Sequence, residues 1–167
     1  KDIELSAYQQ QLSIDGSMPY TNEDTLALTF NKFDLSTFDF LFKNKFDLDG
    51  FVYGNATISD MRDNLSLAAN LDVLQLGFNG DSYGVASLFS HWDNEKGAIM
   101  LEAELINNQR KALALSGGYT PKNNDESLDF TLHLDSLALG VITPFVSNIA
   151  ERIQGTCEGI FTIHGSL

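Results

Sequence analysis

Apolar and polar residues alternate over most of this chain. Leu26, Leu28 and Phe30 oppose Ala27, Thr29 and Asn31, the period-two pattern of a strand with one covered face. Leu65, Leu67, Ala69, Leu71 and Val73 alternate on odd numbers, and Leu74, Leu76 and Phe78 on even ones. Such a change of phase requires a bulge or a corner near Val73. Asn79-Gly80-Asp81 predicts a hairpin turn, followed by a strand from Tyr83 to Trp92 and a second turn over 93–97. Ile99, Leu101, Ala103 and Leu105 make the next strand, Asn107-Asn108 a turn, and Leu113 with Leu115 another strand. Gly117-Gly118 and the stretch 121–125 predict a loop. Leu128, Phe130, Leu132 and Leu134, set against Asp129, Thr131, His133 and Asp135, are the cleanest alternation in the chain. Residues 1–16, with Leu5, Leu12, Ile14 and a stop at Gly16, predict one or two strands more. Connections this short imply antiparallel neighbours, and no β-α-β rhythm is present.

The period changes after Phe30. Asp34 or Ser36 can cap a short helix on which Phe38, Leu41 and Phe42 share a side. A stronger signal of the same kind comes later: Thr143 as N-cap, Pro144 at the first helical position, Val146, Ile149 and Ile153 on one face, and a stop at Gly155. Both segments lead into one motif, Gly-x-x-x-Gly-x-x-Thr-Ile, which begins at Gly50 and again at Gly155, an offset of 105 residues. Upstream the match continues, with Phe33 and Leu35 over Leu137 and Leu139 at offset 104, and Leu26, Leu28 and Phe30 over Leu128, Phe130 and Leu132 at offset 102. Self-similarity at a fixed spacing is the mark of a repeat array. The chain is therefore expected to be a fragment of a longer array: 1–16 the end of one repeat, 17–120 a full repeat, and 121–167 the first part of the next.

Composition narrows the reading little further. A net charge of −13 disfavours nucleic acid and anionic membrane surfaces, both of which call for a stripe of Lys and Arg. Cys157, the sole cysteine, rules out an internal disulfide and a thiolate metal cluster. It takes the place of Val52 in the other copy and is expected to be a small buried hydrophobe.

Candidate chemistry is sparse. Asp47-Leu48-Asp49-Gly50 opens like a calcium loop, but the fifth, sixth and twelfth positions hold Phe51, Val52 and Ile58 in place of the oxygen ligand, glycine and glutamate required. His91, His133 and His164 are scattered and form no His-x-His or His-x3-His pair. There is no Gly-x-Ser-x-Gly elbow and no phosphate-binding glycine loop. No metal, cofactor or catalytic residue is expected.

The expected fold is mainly β: a long antiparallel meander, apolar on one side, with one short amphipathic helix per repeat of about 105 residues. The side carrying Leu26, Leu28, Phe30, Leu65, Leu67, Ile99, Leu101, Leu113, Leu115, Leu128, Phe130, Leu132 and Leu134 must be covered by a second sheet, by helices or by a ligand. A closed two-sheet β-sandwich is the alternative, and would suit a surface adhesin or glycan-binding module with Trp92 and Tyr119 at loop tips.

The order of these features, an alternating strand, a short helix, Gly-x-x-x-Gly-x-x-Thr-Ile, then Gly77-Phe78-Asn79-Gly80, Tyr83-Gly84 and Trp92-Asp93, resembles the repeats of the TamB proteins, translocation and assembly module components within the AsmA-like group. The resemblance covers essentially the whole chain. It implies a long, inner-membrane-anchored protein of the Gram-negative periplasm with a taco-shaped β-sheet (β-taco). An apolar groove in that sheet would carry phospholipid toward the outer membrane or support the assembly of outer-membrane β-barrel proteins. The implied ligand is a phospholipid or other acyl chain, and the implied partner of the full-length protein an outer-membrane β-barrel.

Overall fold

The computed structural model describes residues 2–7, 10–17, 25–42, 47–59, 66–121, 126–140 and 154–166. Within them the chain forms ten strands: β1 (Asp2–Ala7), β2 (Gln10–Ser17), β3 (Thr25–Asp34), β4 (Leu48–Ser59), β5 (Ser66–Phe78), β6 (Asp81–Asp93), β7 (Ala98–Asn107), β8 (Arg110–Tyr119), β9 (Leu128–Ala138) and β10 (Thr156–Gly165). All ten belong to a single sheet in sequence order, every neighbouring pair antiparallel. The expected meander is present, and the described strands form one open sheet rather than the two sheets of a sandwich.

One 3-10 helix, Leu35–Phe42, connects β3 to β4. The Asp34 carboxylate accepts a hydrogen bond from the Ser36 backbone N–H at 3.0 Å, which caps it as the sequence predicts. The element is tighter than the α-helix implied by the spacing of Phe38, Leu41 and Phe42. Its ends leave little choice: Asp39 Oδ1 accepts the backbone N–H of Leu48 at 2.9 Å, tying the helix to the start of β4. The Phe38 ring packs 5.3 Å from Phe33. Short 3-10 segments are common where a chain must reverse over so few residues. The second predicted helix, 144–153, lies outside the described residues.

The sheet is interrupted in a regular way. Register shifts fall between Phe30 and Phe33, between Val73 and Leu76, and opposite the segment from Leu134 to Leu137. In each case the third residue from the start, Lys32, Gln75 or Ser136, adopts a left-handed conformation with φ of 53°, 57° and 56°. Each bulge inserts one residue and keeps the apolar residue that follows on the side of the one that precedes. The predicted phase change near Val73 is one of these three. By contrast, Gly117 and Gly118 do not open a loop but lie inside β8. A Cβ on Gly117 would fall 2.2 Å from the Asp129 carbonyl oxygen, so β9 passes too close for any side chain there.

Two apolar clusters anchor the sheet. Leu12, Phe33 and Val52 are buried together, with Ile14, Phe30, Phe38, Leu71 and Val73 packed against them. Phe78, Tyr83, Leu105, Ala112 and Leu137 form the other, flanked by Leu48, Leu76 and Leu113. Burying a leucine or phenylalanine side chain contributes about 1.5–3 kcal/mol, so these clusters are the main packing contribution in a sheet without a second layer among the described residues.

Candidate apolar binding face

Residues opposite one another on neighbouring strands share a face, so the register sorts the side chains directly. Beginning on β2, one cross-strand row reads Leu12, Phe30, Gly54, Leu71, Leu88, Ala103, Leu115, Leu132 and Phe161. The row on one side of it runs Ile14, Leu28, Ala56, Ala69, Ser90, Leu101, Gly117, Phe130 and Ile163. On the other side lie Phe33, Val52, Val73, Ala86, Leu105, Leu113, Leu134 and Gly159. In these three rows Ser90 is the only side chain with a polar group. It is 1% exposed, and its hydroxyl donates to the Leu67 carbonyl at 3.0 Å, which removes the cost of burying it.

The reverse face is mixed, its polar residues interspersed with exposed Leu74, Val85, Phe89, Ile106 and Ile160. One of its rows reads Ser13, Thr29, Asn55, Asn70, Phe89, Glu102, Ser116, Thr131 and Thr162. His91, His133 and His164 are all exposed on it, and His164 Nδ1 lies 3.2 Å from Asp129 Oδ1. A hollow of about 450 Å³ there is lined by His91, Asp93, Lys96, Met100, Glu102 and Asp129. Among the described residues no three His, Cys, Asp or Glu side chains come together as a metal site. The Asp47 backbone exchanges hydrogen bonds with Asn79, through the Asn79 side-chain oxygen at 3.0 Å and its backbone N–H at 2.8 Å, and so braces the start of β4 against the β5–β6 turn.

The apolar face is incompletely covered. Leu71, Leu88, Leu101, Leu115, Phe130 and Leu132 are half-buried, while Phe161 and Ile163 on β10 are each 44% exposed. Near the middle of the sheet it hollows into a concavity of about 340 Å³, lined by the side chains of Val73, Leu76, Ala86, Leu88, Ala103, Leu105, Leu113 and Leu137. Its origin is local: Ala86 and Ala103 are short side chains on strands whose neighbours on that face are leucine and valine. The volume is within the range of small-molecule pockets.

Of the residues singled out by alternation, Leu26, Leu28, Phe30, Leu67, Ile99, Leu101, Leu113, Leu115, Leu128, Phe130, Leu132 and Leu134 all fall on this one face; Leu65 lies outside the described residues. Trp92 and Tyr119 are not at loop tips. They are half-buried and lie on the same face, Tyr119 opposite both Ile99 and Leu128. Of the residues of the concavity, alternation assigns only Leu113 to the groove; Val73, Leu76, Ala103, Leu105 and Leu137 read simply as apolar positions, and Ala86 and Leu88 are not singled out. The signal for Leu137 was a spacing of three after Leu134, whereas Ala86 and Ala103 read as ordinary apolar positions of their strands. Cys157 is half-buried rather than buried, since no described strand covers the outer edge of β10.

Tyr83, 3% exposed at the foot of the second cluster, has a hydroxyl with no hydrogen-bond partner among the described residues. Burial, and then the neighbouring Asp81 charge, push its pKa above the ordinary phenolic value. Among the described residues no helix is long and apolar enough to cross a membrane. Comparisons with protein-family models, curated proteins and solved structures yield no match for this chain.

Proposed function

We propose that this chain is a segment of a TamB-like lipid conduit in the periplasm of a Gram-negative envelope, and that its apolar face shields acyl chains in transit toward the outer membrane or supports outer-membrane protein assembly. The observation that carries the reading is the row from Leu12 to Phe161: nine strands in succession contribute an apolar residue or glycine to one face, while the reverse face mixes polar residues with isolated apolar ones such as Phe89 and Ile160. A monomer rarely leaves so long an apolar surface half-covered without a ligand or partner for it.

In this reading the sheet is repeat-built and curves into an open trough, the β-taco, with one short amphipathic helix per repeat of about 105 residues. The full-length protein is anchored in the inner membrane and meets an outer-membrane β-barrel partner. No catalysis, metal or cofactor is involved. Each methylene that leaves water for the trough contributes roughly 0.8 kcal/mol, while the headgroup stays hydrated outside it. Adjacent rows offer similar surroundings, so a chain slides along them with little change in free energy.

The test is to titrate the protein with a fluorescent long-chain fatty acid and to compete it with unlabelled phospholipid. Saturable binding that phospholipid displaces, and that Leu88→Glu weakens without lowering the melting temperature, is the expected result. No saturable binding, or a Leu88→Glu variant that binds like the parent, overturns the proposal.

A further inference from the structure

The hairpin β3–β4 and the hairpin β9–β10 share one register. Phe30 faces Gly54 as Leu134 faces Gly159, Phe33 faces Val52 as Leu137 faces Cys157, and Asp34 faces Phe51 as Ala138 faces Thr156. The left-handed bulge residue, Lys32 in one and Ser136 in the other, occupies the same place in both. In the first hairpin, however, the far side of β4 is paired with β5, whereas β10 ends the sheet among the described strands.

The glycines of these hairpins show what that difference means. Gly50 and Gly54 have φ of 130° and 120°, and Gly155 and Gly159 have φ of 113° and 148°. On β4 the absence of a side chain serves β5: a Cβ on Gly54 would fall 2.0 Å from the Asn70 carbonyl oxygen, and one on Gly50 would fall 3.0 Å from that of Leu74. On β10 the same conformation serves no described strand. Among the described residues, a Cβ on Gly155 would meet no atom within 4 Å, and one on Gly159 only the Phe161 ring at 3.4 Å. The clearance for a neighbouring main chain is there, and no described strand fills it. Phe161 and Ile163 stay 44% exposed on the same edge, and unpaired strand edges are templates for strand addition.

We infer that the outer edge of β10 is a strand-accepting site for an antiparallel segment of β5's chemistry. That segment carries apolar side chains at alternate positions, with one extra residue in left-handed conformation opposite Gly155, as Gln75 provides near Gly50. Its register follows from β4. The counterpart of Leu71 lies opposite Gly159, and the counterpart of Val73 lies opposite Cys157. The inference rests on the two hairpins alone and is independent of what the apolar face carries.

Cys157, the only cysteine, reports the register directly. Peptides of the Ser66–Phe78 sequence are made with Val73→Cys, Asp72→Cys or Leu74→Cys, and each new thiol is activated as a mixed disulfide with thionitrobenzoate. Attack by the Cys157 thiolate forms the peptide–protein disulfide and releases thionitrobenzoate, which is followed by absorbance. Because Cα atoms opposed across an antiparallel pair are within disulfide range, the Val73→Cys peptide is expected to react at least about tenfold faster than the other two, which present their sulfur on the reverse face. A scrambled Val73→Cys peptide loses that advantage. So does the unscrambled Val73→Cys peptide with Gly159→Val or Gly155→Ala protein, whose melting temperatures are measured alongside. Equal rates for the three peptides on the parent protein overturn the assignment whether or not the glycine variants fold. Self-association of the chain that the peptide fails to compete also overturns it, since the edge would then be taken by β1 of a second copy.

Discussion

If the concavity around Ala103 is usable space, filling it should strengthen the fold and weaken the ligand at once. Ala103 lies between Leu88 and Leu115 in its cross-strand row and lines the hollow of about 340 Å³. Ala103→Leu adds three carbon atoms there. At about 0.8 kcal/mol per fully buried methylene, and with the site only half-covered, the variant should gain about 1 kcal/mol in stability. An acyl chain that occupied the same space would lose contacts of up to about 2.4 kcal/mol, which is about fifty-fold in affinity. Urea unfolding of parent and variant gives the first quantity, and titration with a fluorescent fatty acid the second. A loss of about 1–3 kcal/mol, the usual cost of overpacking, would show that the hollow does not exist in solution. A stabilised variant that binds fatty acid like the parent would place the ligand elsewhere.

Two further outcomes follow from polar groups. Tyr83→Phe removes a buried hydroxyl without a described partner and should leave stability unchanged or raise it by about 1 kcal/mol in denaturant unfolding; a clear loss would mean that the hydroxyl is hydrogen-bonded. Asp93 holds the turn between β6 and β7, its carboxylate accepting the backbone N–H of Lys96 at 3.1 Å and of Glu95 at 2.9 Å. The Lys96 hydrogen bond chiefly lowers its pKa; burial opposes it, and the Glu95 hydrogen bond and the Lys96 and His91 charges add to the lowering. A carboxyl depressed by folding contributes stability above its unfolded pKa and loses it as pH falls through the folded value. The Lys96 amide resonance should therefore titrate with a midpoint below the ordinary aspartate value of about 3.9, and Asp93→Ala should abolish that titration; a midpoint at or above that value would refute the assignment.

Much of the sheet could be read from alternation because a strand with one wet face writes its burial into every second residue. Leu128, Phe130, Leu132 and Leu134 against Asp129, Thr131, His133 and Asp135 are the plainest case, and all four apolar residues lie on the expected side. The reading failed where the period breaks. After Phe30, Val73 and Leu134 the next apolar residue on the face comes three positions later, because Lys32, Gln75 and Ser136 turn left-handed. Only the break at Val73 was recognised as a bulge, since there a second alternation follows it. The alignment of Phe30 with Leu132 went astray for the same reason: in the register Phe30 corresponds to Leu134, each standing opposite a motif glycine just before its bulge. Gly117 and Gly118 were read as turn formers, because sequence does not distinguish a glycine that bends the chain from one that lets another strand approach. The concavity had no signal of its own, since alanine counts as apolar in any alternation and its small volume matters only beside particular neighbours.

Each strand from β2 to β9 pairs with the strand just before it and the strand just after it, and β1 and β10 form the edges. Such a chain has no long-range closure to wait for, so it can assemble as it leaves the ribosome, each strand laid on an edge already formed. Its cooperativity is correspondingly one-dimensional: damage in β5 is felt at β4 and β6 and fades with distance along the order. Loss or gain of a hairpin changes the length of the sheet by two strands while leaving the direction of every other strand as it was. Length is thus a quantity that such a protein can change in evolution without inventing a new core.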